Sequence, residues 1–392
     1  MTAYETLKLI ELVTFRTGKL DSNAAKSDGE YPFFTCAPET LRIDNFAFDT
    51  TAILLAGNNA TGVFPVKYYS GKFNCYQRTY VIENRNEHRS FLPYLYFAIQ
   101  MQLKFLQNMS IGAATKFLTR GILDNLQVSI PPLPIQKKIA GVLSAYDDLI
   151  EANLKRIKLL EEMAQITYEE WFVRHRFPNH ETTPINPETG LPEGWKKKSL
   201  SYLGTFMNGF PFKPDDLGVE GLPVIKIKEI KAGVVSDTPR NSGERVPSKY
   251  LVSAGDILFS WSASLEVVIW SYEVGLINQH LFKVVPNDGI PRAFLYLANK
   301  ASLKIFDSLT TGATMKHIKR KELDFVEVNV PDSNLLHQFG VAVDRVIDGV
   351  LNLNRQNQLL KEARDLLLPR LMTGLIDIDD YLARNGSAAV AA

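Results

Sequence analysis

Two stretches of the chain repeat apolar residues every three or four positions for far longer than any other. From Leu133 onward, Ile135, Ile139, Val142, Leu143, Tyr146, Leu149, Ile150, Leu154, Ile157, Leu160 and Met163 form a narrow apolar stripe flanked by charge. That spacing predicts a helix over 133–172, with Pro134 in its first turn, where a missing N–H costs nothing. A second stripe runs through Leu335, Phe339, Val343, Val346, Ile347, Val350, Leu353, Leu359, Leu360, Ala363, Leu366 and Leu367. Roughly 40 helical residues make a rod of about 60 Å, and so narrow a stripe needs a partner helix. Each rod is the natural partner of the other.

Ahead of each rod lie shorter, mixed patterns. The first region reads as strands at 52–55, 79–83 and 126–130 with a helix over 91–107. The second reads as strands at 224–227, 256–260, 281–285 and 325–330 with a helix over 293–306. The two regions are copies. GAATK at 112–116 returns as GATMK at 312–316. Arg120, Leu123, Asp124, Val128 and Pro131 return as Arg320, Leu323, Asp324, Val328 and Pro331, an offset of about 200 residues. Further upstream the offset slips, with Thr14, Phe15 and Gly18 matching Thr205, Phe206 and Gly209.

The expected fold is therefore α+β: two duplicated globular units separated by two long antiparallel helices, a coiled-coil-like spacer, with pseudo-two-fold symmetry inside one chain. The expected boundaries are a first unit at 1–132, a central helix at 133–177, a second unit at 178–331, a C-terminal helix at 332–384 and a disordered tail at 385–392.

Composition changes this picture little. The chain has 392 residues, 45% hydrophobic and 22% charged, as in soluble globular proteins. It shows no apolar run of membrane-spanning length and an acidic rather than basic N-terminal stretch, so it reads as cytoplasmic. In a reducing compartment Cys36 and Cys75 are expected to be plain thiols. Net charge is +1; residues 1–132 carry +2, 133–177 zero, 178–331 +1 and the remainder −2. A nucleic-acid partner would have to be met by local basic patches.

Catalytic motifs are missing. The sequence contains no phosphate-binding glycine loop, no GxGxxG, no HExxH, no CxxC and no GxSxG. Its Pro-Pro at 131–132 lacks the amide and aromatic ring of a base-flipping methyltransferase loop and reads as a strand-to-rod hinge. Asp215 followed by Glu229 and Lys231 imitates a metal-nuclease pattern, but the loop-like context of Asp215 favours a solvated turn. No metal or resident cofactor is expected.

With the duplication, the rods and the missing chemistry taken together, the chain resembles the specificity (S) subunits of Type I restriction–modification systems. The residues that carry the resemblance are IPPLPIQ at 130–136, the rod that follows through EWFVR at 170–174, GLPEGW at 190–195, and LLLPRLMTG at 366–374. One departure is the DSNL of 332–335, which replaces a Pro-rich lead-in to the second rod. The resemblance implies two target-recognition domains that each read half of a split double-stranded DNA target. It also implies a non-catalytic subunit that docks two methyltransferase subunits and restriction/translocase subunits. S-adenosylmethionine, ATP and Mg would then belong to those partners. The alternative is a helical scaffold without sequence-specific DNA binding.

Base reading needs Arg or Lys for guanine, Asn or Gln for adenine, and Ser or Thr for either. In the first unit the candidates on loop-like ground are Lys19, Asn58, Asn59, Lys72, Gln77 and Arg78. In the second they are Lys213, Lys228, Ser260, Trp261, Ser262, Gln279 and His280. Asn58 aligns with Ser262, and Gln77 with Gln279 or His280. Lys116 and Arg120 return as Lys316 and Arg320, which suits phosphate contacts. An ion pair with Asp124 or Asp324 four residues on is the bland reading of the arginines. In the rods, Leu149, Ile157, Leu160, Val346 and Leu360 are expected in the seam, and Trp171 and Phe172 either in the core or against a partner.

Overall fold

The structure, a computed structural model, describes residues 4–60, 62–262, 264–309, 318 and 320–386. It divides into two units, Met1–Ile150 with Leu359–Ala392 and Glu151–Gln358.

Unit 1 runs β1 (Glu5–Lys8), α1 (Leu9–Leu12), β2 (Val13–Thr17), β3 (Tyr31–Phe34), β4 (Leu41–Ile43), β5 (Phe48–Ala56) and β6 (Asn58–Asn59). It continues with β7 (Val66–Cys75), β8 (Thr79–Asn84), α2 (Leu92–Met101), α3 (Leu103–Met109), β9 (Lys116–Phe117), α4 (Arg120–Asp124) and β10 (Gln127–Ile130), which leads into α5 (Leu133–Tyr168). Its main sheet has the order β2-β8-β5-β7-β3-β4. The helix expected over 91–107 is broken at Gln102 (φ −97°, ψ 5°), whose side-chain amide donates to the Gln127 carbonyl at 2.6 Å. The Cys36 and Cys75 thiols are free, and burial pushes that of Cys75 up to about 12.

Unit 2 repeats the plan with β11 (Lys196–Ser199), α6 (Leu200–Leu203), β12 (Gly204–Asn208), β13 (Leu222–Ile225), α7 (Ile227–Ala232), β14 (Arg240–Asn241) and β15 (Leu251–Val252). Then come β16 (Ile257–Ser260), β17 (Glu266–Ile269), β18 (Gly275–Ile277), β19 (Leu281–Pro286), α8 (Arg292–Leu309), β20 (Glu327–Val330) and α9 (Ser333–Met372). Its sheet β12-β19-β16-β17 is joined by a second one, β14-β13-β18-β15. The strand expected at 224–227 stops at Ile225. Glu229 accepts the Lys226 N–H at 3.0 Å, and this cap starts a helix at Ile227 instead.

The duplication is visible bond by bond. β1 pairs with β10 and β11 with β20, both antiparallel. Leu9 N–H donates to Leu126 O at 2.8 Å, and Leu200 N–H to Val326 O at 3.0 Å. Gly18 and Gly209 also share a reason. A Cβ would sit 1.9 Å from Cys75 O in one and 2.2 Å from Asn278 O in the other.

The long helices are straightforward continuations of these units. α5 ends in a π-helical turn, Glu169–Val173. In unit 2, Asn153 Nδ2 donates to Asn357 Oδ1 at 3.0 Å, and a Cβ on Gly349 would lie 3.7 Å from Leu160, so the helices run antiparallel. In unit 1, Arg364 Nη1 meets Asp147 Oδ1 at 2.5 Å, and Ile139, Val142 and Leu143 share a core with Leu368, Leu371 and Met372. Ile157 is buried, and Leu160, Val346 and Leu360 are half-buried. Leu149 departs from expectation. It is 45% exposed, because Ile150 beside it takes the inward position. Phe172 is core and the half-buried Trp171 packs against it: the Phe172 ring centroid lies 4.8 Å from those of Phe294 and Phe339, and that of Trp171 5.6 Å from Phe339. Beyond α9, α10 (Ile378–Asn385) buries Ile378 in unit 1's core. Residues 387–392 of the expected tail lie outside the described residues. Among the described residues no helix is long and apolar enough to cross a membrane.

Candidate nucleic-acid interface

In unit 1 the chain leaves β5 at Ala56 and enters β8 at Thr79, and these two residues are paired across the sheet. Gly57 N–H donates to Arg78 O at 2.8 Å, and Leu118 N–H to Gly57 O at 2.9 Å. β6 then pairs with β9, Asn58 facing Phe117 and Asn59 facing Lys116. Gln77 N–H donates to Leu20 O at 2.9 Å, which draws the segment with Lys19 to the same place. One end of the sheet thus gathers Lys19, Asn58, Asn59, Gln77, Arg78 and Lys116. Lys19, Gln77 and Arg78 are exposed there, while Asn58, Asn59 and Lys116 are half-buried.

The side chains are not equally available. Gln77 Nε2 is committed to Asp21 Oδ1 at 2.6 Å. The Arg78 guanidinium lies over the Phe117 ring, 5.3 Å from its centroid. The Asn58 amide oxygen is buried without a hydrogen-bond partner.

Two candidates fall elsewhere. Lys72 is on β7 opposite Asp49, near the start of β5 rather than its end, with its ammonium 4.8 Å from the Phe46 ring. Arg120 makes the bland ion pair, its Nε donating to Asp124 at 2.6 Å, and its guanidinium lies 4.3 Å from the Phe15 ring centroid.

Unit 2 builds the same end from β16 and β19. Ser260 is paired with Leu281, Ile318 N–H donates to Trp261 O at 2.9 Å, and Gln279 N–H to Phe210 O at 3.0 Å. These bonds fix the correspondence: Gly57 with Trp261, Asn58 with Ser262, Gln77 with Gln279, and Arg78 with His280. His280 is exposed beside Trp261, ring centroids 5.9 Å apart, and Gln279 is half-buried.

Ser260 and Ser262 are corrections. Both are buried, and the Ser260 hydroxyl donates to Ser262 O at 3.2 Å. A serine ending a central strand turns inward, like Ala56 in unit 1, and cannot reach a base edge. Lys228 pairs with Asp237 at 2.6 Å, and Lys213 is exposed at a turn that Asp216 caps. Arg320 is exposed, and Asp324 accepts from Ser201. Lys316 lies outside the described residues.

Sequence reasoning missed Phe117 and Phe210, which pin these ends together. Each is an ordinary-looking aromatic, and only its pairing across the sheet gives it a role. The nuclease imitation dissolves as well. Glu229 is buried, and its carboxylate accepts from Lys226 N–H and from Thr238 Oγ1 at 3.4 Å. Among the described residues no group of three or more His, Cys, Asp or Glu is placed to hold a metal.

Two copies of one α+β unit, each with a polar strand end and a share of two long helices, define an internally duplicated protein. Residues 1–162 and 192–361 match the family described as "Type I restriction modification DNA specificity domain", and the chain belongs to that family. The Type I restriction enzyme EcoDI specificity subunit of Escherichia coli is 40% identical over 163 residues, 42% of this chain and 35% of that protein. The chain thus spans about a third of that relative's length. The MjaVIII specificity subunit of Methanocaldococcus jannaschii is 22% identical over 411 residues, covering 96% of this chain and 93% of that one. The crystal structure of a Type I restriction–modification S subunit from M. genitalium shares the fold, with a TM-score of 0.61 and 17% identity over 94% of this chain and 96% of that chain.

Proposed function

We propose that the chain is the sequence-reading subunit of a Type I restriction–modification complex. Each globular unit reads one half of a split duplex target, and the long helices dock the other subunits. The observation that carries this reading is the correspondence of the two strand ends. The backbone is the same in both, while the exposed Arg78 of one becomes the exposed His280 of the other. Two copies with one frame and different polar tips suit two different half-sites. A helical scaffold would have no use for such divergence.

The recognition domains are 1–132 and 178–331 in this reading, and the chain itself does no chemistry. S-adenosylmethionine, ATP and Mg belong to the partners, and the assembly works in the cytoplasm. The helices offer matching docking surfaces. Leu159 and Ile166 are 64% and 58% exposed on α5, and their counterparts Leu359 and Leu366 are 47% and 61% exposed on α9. One such pair in each unit suits two methyltransferase subunits, with restriction/translocase subunits joining them.

Reconstitution with the host's methyltransferase subunit tests this. Site-selective adenine methylation is expected only when both proteins are present, with two methyltransferase copies per chain. Leu159→Glu with Ile166→Glu is expected to leave one copy. Methylation of the same sites without this chain, or by this chain alone, would contradict the reading.

A further inference from the structure

Arg78 and His280 share more than a place in an alignment. Each directly follows a glutamine whose N–H is bonded to the turn after the first strand of its sheet, Leu20 O in unit 1 and Phe210 O in unit 2. Each directly precedes the last residue pair of a ladder between two central strands, Thr79 with Ala56 and Leu281 with Ser260. Each side chain is exposed, and each lies against an aromatic ring, Phe117 for Arg78 and Trp261 for His280. The ring comes from β9 in one unit and from the end of β16 in the other, so the same arrangement is built from different parts.

Other arginines of unit 1 are engaged within the fold. Arg16 binds Glu83, Arg120 binds Asp124, and Arg42 donates to the carbonyls of Gly29 and Glu30. The Arg78 guanidinium lies against the Phe117 ring, 5.3 Å from its centroid, a contact that uses none of its N–H groups and leaves them for a partner. Gln77 next to it is tied to Asp21.

We propose that Arg78 and His280 are the equivalent specificity-determining residues of the two units. This rests on the DNA-reading function argued above. The Arg78 fork matches the O6 and N7 pair of guanine, so the first half-site carries a fixed guanine there. The His280 ring offers a single donor, which suits the N7 that guanine and adenine share, so the second half-site accepts either purine at the corresponding position.

The test is the methylated motif made in the host by the full complex carrying Arg78→Gln, Arg78→Ala or His280→Arg. Arg78→Gln is expected to turn one guanine of the first half-site toward adenine, and Arg78→Ala to relax it. His280→Arg is expected to fix guanine at one purine position of the second half-site. In every case the other half-site and the spacing stay as they were. In competition binding by the purified complex, Arg78→Ala is expected to lose about 10–100-fold discrimination at one base pair. An unchanged motif with methylation lowered at all sites would make Arg78 a phosphate contact and overturn the proposal. If a variant abolishes methylation, uniform weakening across all four bases in the competition assay overturns it equally. A wild-type complex that makes no split motif would instead overturn the DNA-reading function itself.

Discussion

The two units solve the interior where sheet meets helices in opposite ways. Unit 1 places Asp147 and Arg364 in ion contact beside Tyr96, and Tyr68 packs on Tyr96 with ring centroids 6.1 Å apart. The duplication maps Asp147 onto Ile347 and Arg364 onto Ala164. The strand registers map Tyr68, opposite Ile53, onto Ile269, opposite Ile257. At these positions unit 2 is therefore apolar, and the long Arg364 and Tyr68 give way to the shorter Ala164 and Ile269 near Tyr296. A cavity of about 510 Å³ opens there, lined by Ala164, Ile269, Tyr296, Lys300, Val346 and Ile347 among others. One backbone plan thus carries a part-buried ion pair in one copy and, at the matching positions of the other, apolar side chains beside an open cleft. Burial pushes the Asp147 carboxyl above the ordinary carboxylate range even with Arg364 beside it. The ion pair thus adds little net stability, yet it is expensive to break from one side.

Arg364→Ala is expected to give the largest effect, a loss of about 3 kcal/mol in unit 1, because it strips a part-buried carboxylate of its partner. Urea unfolding measures it, and a loss below about 1 kcal/mol would mean that water screens the pair. A smaller and opposite change is expected from Ala164→Leu, which fills part of the unit 2 cavity and should gain about 1 kcal/mol. Destabilisation there would mean that the cavity mouth is too tight for the longer side chain. Smallest is the exchange Asp147→Ile with Arg364→Ala, which imports the unit 2 pair and should stay within about 1 kcal/mol of the parent. A double variant as unstable as Arg364→Ala would contradict the equivalence of the two interiors.

The duplication and both long helices were legible in the sequence because their signals are local. Gly18 and Gly209, or Arg120 and Arg320, repeat as residue types, and a stripe such as Ile139, Val142 and Leu143 needs only helical periodicity. What escaped depends on partners distant in the chain. Nothing near Gln102 signals that Gln127 will break a helix, and nothing near Leu149 says that Ile150 faces the seam. At the candidate interface, Asn58, Gln77, Arg78 and Lys116 were recognisable as polar residues next to strands. Their convergence was not, since it depends on β6 pairing with β9 across an intervening run of sequence. Ser260 and Ser262 misled for the same reason. Whether a strand-end serine faces solvent is decided by the sheet's packing, and here both are buried.

The most direct measurement is genome-wide adenine methylation in the native host with and without this gene. Without the gene, a single split motif, two short half-sites around a fixed number of unread bases, is expected to disappear. An unchanged methylome in cells that express the protein would contradict it.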